Sequence, residues 1–99
     1  MQQLIDRRLA SVRAIVESSL QSLPLAPEFP VSTEDVEVDG LPAKLHVYHS
    51  DDGGVHKIIV QGYRPSASGI SALVMAEGFL LTGAGIIREL RPDELYDYT

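Results

Sequence analysis

His49, His56 and Asp51 are the residues whose types and spacing come nearest to a metal centre. They bracket Asp52-Gly53, one of the dipeptides that close two-residue β-hairpins. A hairpin centred there sets Ser50 against Val55, His49 directly against His56, Val47 against Ile58 and Leu45 against Val60. Asp51 then shares a strand face with His49. Two imidazoles and a carboxylate at one hairpin tip form a partial ligand set for a divalent ion, with coordination positions left open. The competing reading is polar residues gathered at a solvated hairpin end. His46 falls on the opposite face and does not join them.

A second group is Arg64, Ser66, Ser68 and Gly69. A helix beginning near Ser68 would aim its free backbone N–H groups at this loop. With a guanidinium and two hydroxyls beside it, that end would bind an anion. The competing reading is a helix cap and a turn. Nucleophile signatures fail: Gly69-Ile70-Ser71-Ala72-Leu73 departs from G-x-S-x-G at its last position. Thr82-Gly83-Ala84-Gly85 resembles the glycine-rich turn of short-chain dehydrogenases, which would imply a dinucleotide cofactor. The third glycine is missing, because Ile86, Ile87 and Arg88 follow, and the chain ends 14 residues after Gly85. A three-residue hairpin loop accounts for the same four residues, so no cofactor is expected.

The composition removes further chemistry. The chain has 99 residues and no cysteine, which excludes disulfides, thiolate nucleophiles and Cys-ligated metals. The net charge is −6. An acidic chain repels phosphate backbones, so nucleic acid is not expected as a partner. The acid is concentrated in Glu34, Asp35, Glu37 and Asp39, and in the tail at Asp93, Glu94 and Asp97. No run approaches the roughly 20 apolar residues of a membrane span. Asp6, Arg7, Arg8 and Arg13 break up any signal-peptide core. A cytoplasmic protein without membrane contact is the expectation.

The elements that must position these residues follow from periodicity. One domain over 1–99 is expected. Residues 1–23 form its helix: Ile5, Leu9, Val12, Val16, Ser19 and Leu23 recur from residue 3 onward at steps of four and three, and Pro24 stops it. Residues 24–31 are a proline-rich connector, stiff and extended, with Leu25 and Phe29 pinning it to the core. Residues 32–99 build the sheet. Turns at Asp39-Gly40 and Asp52-Gly53 define three antiparallel strands with Val36, Val38, Leu41, Ala43, Leu45, Val47, Ile58 and Val60 on one face. Ile70 to Glu77 reads as a helix from its Ala, Leu, Met and Glu content, with Gly78 ending it. A buried strand running on through Leu81 is the rival. Phe79 to Thr82 and Ile86 to Leu90 form a last hairpin. Pro92 opens a short helix that packs Leu95 and Tyr96. The fold class is α+β, an amphipathic helix on an antiparallel sheet of about five strands, in the order α-β-β-β-α-β-β-α.

That order, with the acidic charge, is similar to the small dimeric chaperones of bacterial secretion systems, and the resemblance implies a binding role. The absence of a catalytic set, the amphipathic helix and a sheet edge that needs covering point the same way. The expectation is a non-enzymatic interaction module acting on a protein partner or on itself as a homodimer. One alternative is a small enzyme using His49, His56 and Asp51, or Arg64 and its serines. Another is an inhibitor or immunity protein whose acid meets a basic target.

Overall fold

In a computed structural model, which describes residues 1–26 and 28–99, helix α1 (Gln2–Ser18) and a 3₁₀ turn (Leu20–Ser22) precede strands β1 (Ser32–Val38), β2 (Leu41–Asp52), β3 (Val55–Pro65), β4 (Ala72–Thr82) and β5 (Gly85–Glu89). A 3₁₀ helix (Pro92–Tyr98) closes the chain. The strands form one antiparallel meander in sequence order. The α+β class stands, while the element order differs from the expected one.

Helix α1 ends five residues early. Ser18 turns its hydroxyl back onto the Ala14 carbonyl, and Ser19 is extended (φ −160°, ψ 111°). Serine side chains compete for backbone groups in this way. Pro24 excludes the helical region for Leu23, which sits at φ −103°, ψ 117°. Leu23 is still buried, delivered by the 3₁₀ turn instead of by a continuous helix. In the connector, Pro27 lies outside the described residues. Leu25 and Phe29 do not pin it: they are 54% and 69% exposed. Backbone bonds hold the segment instead, from Ala26 N–H to the His49 carbonyl and from Val31 N–H to the Val47 carbonyl.

The first hairpin has the expected register, with Val38 opposite Leu41 and Asp35 opposite Lys44. The second is displaced by two residues: Asp52 pairs with Val55, Asp51 with His56, His49 with Ile58 and Val47 with Val60. Its turn is Gly53-Gly54, at φ 62° and 88°. A type I′ turn needs positive φ at both central positions, and two glycines supply it at no steric cost. Asp51 accepts a hydrogen bond from Gly54 N–H at 2.8 Å, fixing the turn. An even displacement leaves every side chain on its expected face.

Residues 72–82 form a strand, not a helix. Helix propensities differ by only tenths of a kcal/mol per residue, which tertiary pairing overrides. Here β4 pairs along its length with β3, from Ala72 opposite Pro65 to Leu81 opposite His56. The hairpin to β5 turns on Gly83-Ala84, with Thr82 opposite Gly85. Ile87 bulges out between the Leu81–Ile86 and Leu80–Arg88 pairs. The helix between third and fourth strands, on which the likeness to the secretion chaperones rested, is absent from this fold.

Both sheet faces are covered. On one, Ile5, Val12 and Val16 of α1 pack on Leu45, Val47, Ile58, Val60, Phe79 and Leu81. On the other, Ile59, Leu90 and Leu95 form a smaller cluster with Tyr48, Leu80 and Tyr98 around it. Tyr98, not Tyr96, packs beside Leu95; Tyr96 is 79% exposed.

Candidate functional site

His49 and His56 meet diagonally across β2 and β3, on the α1 face. His49 is 1% exposed. Its Nδ1 lies 3.1 Å from the Leu23 carbonyl and 3.0 Å from that of Pro24, so Nδ1–H donates to both. Its Nε2 is 2.8 Å from His56 Nδ1 and must accept from it. Both His49 nitrogens are therefore engaged within the fold. Burial holds the His49 pKa below the usual histidine range, against the weaker opposing pull of the carbonyls and of Asp51. Asp51 is exposed and occupied by the Gly54 amide. Direct opposition of the two imidazoles does not occur. Among the described residues, no three His, Asp or Glu side chains converge as a metal-ligand set.

Arg64, Ser66, Ser68 and Gly69 do not flank a helix. Residues 66–71 are the loop between β3 and β4, and they spend their own polar groups. Ser66 N–H donates to the Ser71 carbonyl at 2.8 Å, Gly69 N–H to the Ser66 carbonyl at 3.0 Å, and Ser71 N–H to Ser66 Oγ at 3.3 Å. Ser66 and Ser68 hydroxyls bond each other at 3.0 Å. Arg64 runs back over the sheet to donate to Asp39 Oδ2 at 2.6 Å. The anion site expected here loses the helix N-terminus it depended on.

The incomplete part of the molecule is the outer edge of β4. Leu90 N–H donates to the Gly78 carbonyl at 2.9 Å, and pairing stops there. Pro92, lacking an N–H, leads the chain away into the 3₁₀ helix. Strand alternation places the backbone groups of Ala72, Val74 and Ala76 on the same edge as those of Gly78. Among the described residues, no strand or backbone hydrogen bond meets them. Leu73, Met75 and Glu77 point to the α1 face, Val74 and Ala76 to the other, and all five are half-buried. The opposite edge of the sheet is different: β1 carries exposed Glu34, Asp35 and Glu37. Charges on an edge strand are a common guard against pairing, and β4 has none between Ala72 and Ala76.

One end of the open edge is acidic. Glu77 faces Asp6 of α1 and Glu89 of β5, with a cleft of about 380 Å³ beside it where β5 leaves the sheet. Burial, then contact with Asp6, raises the Glu77 pKa above the usual carboxylate value. Gln2 donates to Asp6 Oδ1 at 2.8 Å. Arg13 is the one cation at this corner among the described residues, 3.9 Å from Glu89 and with its guanidinium 5.1 Å from the Phe79 ring centroid. Sequence reasoning foresaw an edge to be covered without placing it. The signal legible in the sequence was the uncharged run at 72–76, which lacks the charges carried by the opposite edge.

Comparison with protein-family models, with curated proteins and with solved structures finds no match to this chain.

Proposed function

We propose that the protein is a non-catalytic interaction module that takes an extended segment of another polypeptide onto the open edge of β4. The observation that carries this reading is the row of unpaired backbone groups at Ala72, Val74 and Ala76, flanked by half-buried apolar side chains. Added strands gain main-chain hydrogen bonds from the edge and specificity from alternate side chains. A homodimer is the case in which a second copy supplies the strand. The polar candidates elsewhere leave room for the same reading, because both His49 nitrogens are engaged within the fold and the serine loop after Arg64 bonds to itself.

Val74→Pro tests it. The Val74 N–H points away from β3, so proline removes an edge donor without removing a β3–β4 bond. Wild-type protein should self-associate by light scattering, or bind a blocked, alternating threonine–valine peptide as seen in amide shifts at Val74 and Ala76. A folded Val74→Pro variant should lose that association. Association unchanged by Val74→Pro, or none in wild type, overturns the proposal.

A further inference from the structure

We propose that the strand received by β4 belongs to a different, basic polypeptide: an extended apolar segment bearing a lysine or arginine that lies against Asp6, Glu77 and Glu89. The inference rests on the strand-accepting reading above and names the partner's chemistry. Three carboxyl groups converge where the open edge meets β5, against the guanidinium of Arg13. Asp6 comes from α1, Glu77 from β4 itself and Glu89 from β5, so the acid is assembled by the tertiary fold around the end of the edge. Glu77 is half-buried at the mouth of the cleft, where a charge is less screened than at an open surface.

A second copy supplies no such cation from the corresponding strand. From Ala72 to Thr82, β4 contains one ionisable residue, and it is Glu77. Edge-to-edge pairing of two β4 strands would leave all the carboxyl groups of both copies without a cation from the incoming strand. A basic segment satisfies them, and its apolar alternate residues fit beside Val74 and Ala76 on one face and Leu73 and Met75 on the other.

The test uses two seven-residue blocked peptides of alternating threonine and valine, one with a central lysine and one with glutamate there. Binding to the full chain is read from amide shifts along β4. The lysine peptide should bind about ten-fold more tightly, as a charge-assisted contact predicts. The preference should fall to parity in an Asp6→Asn, Glu77→Gln double variant, and Val74→Pro should remove binding of both peptides. Equal affinity of the two peptides for wild type overturns the basic-partner inference and leaves the strand-accepting edge standing. Lysine-peptide binding that survives Val74→Pro overturns both. A Val74→Pro-sensitive dimer that excludes both peptides identifies the second copy as occupant and overturns this inference alone. Failure of both peptides to bind a monomeric wild type overturns both readings.

Discussion

His49 illustrates how a side chain with metal-binding chemistry becomes a structural fastener. Its ring ties the segment after α1 to β2 through the Leu23 and Pro24 carbonyls, while His56 occupies its other nitrogen. The buried ring favours the neutral form, so its pKa in the fold lies below that of an ordinary histidine. In the unfolded chain the same group takes up a proton near pH 6.5. Between those two values the unfolded state binds more protons, and stability falls as pH falls. The contribution is complete above about pH 6.5 and is lost as pH drops through the folded value. Thermal midpoints should therefore decline from pH 7.5 to 5.5 in the wild type and decline less in His49→Ala. That variant should lose about 2 kcal/mol at pH 7.5, since it leaves the buried Leu23 carbonyl and the part-buried Pro24 carbonyl without their donor. Parallel wild-type and variant curves would refute the pH linkage, and coincident curves the fastener. His49 and His56 were legible in sequence as neighbours; that they bond each other, and to the backbone before β1, depends on where the connector returns.

At the level of elements, β4 shows why residue preference alone misassigned a segment. Ala, Leu, Met and Glu favour a helix by small increments. Strand β3 is eleven residues long and offers its whole length for pairing. Gly78 then has a purpose that its reading as a helix terminator missed. A Cβ there would collide with the Ile58 carbonyl oxygen and press on the side chains of Leu90 and Ile59. Gly78→Ala should cost about 2 kcal/mol, within the range for overpacked sites. Gly83→Ala, at a turn position with open space around it, should be near neutral. Urea midpoints of the two variants provide the check, and equal midpoints would show that β4 yields at Gly78. The displaced second hairpin has the same kind of cause: three candidate turn residues, Asp52, Gly53 and Gly54, allow two registers, and the pair of glycines fits the turn with less strain.

The whole molecule is a sheet with two covers of unequal size. Helix α1 shields the larger apolar face, and the 3₁₀ helix shields Ile59 and Leu80 on the other. Its attachment is largely polar at the rim. Arg88 and Glu94 are joined by two hydrogen bonds, and Glu94 also accepts from Arg91 N–H, which together hold the Glu94 pKa at about 2. Gln61 donates to the Tyr98 carbonyl at 2.6 Å. Ending the chain at Arg91 would return Ile59 and Leu80 to water. Such a truncation should lower the thermal midpoint and give the folded protein a hydrophobic-dye response that the full chain lacks. An unchanged midpoint with no dye binding would mean that the second cover contributes little.

Local sequence signals suffice for the α+β class, the amphipathic helix with its buried Ile5, Val12 and Val16, the first hairpin with its register, and the alternation that assigns β2 and β3 side chains to faces. These are local properties: helix period, turn chemistry and strand period act within a few residues. Tertiary structure alone decided that residues 72–82 are a strand, that β5 is too short to cover it, and that Asp6, Glu77 and Glu89 assemble beside the uncovered part. Each depends on pairing or packing between residues distant in sequence. The energies of such long-range contacts exceed the local preferences that a single segment can express.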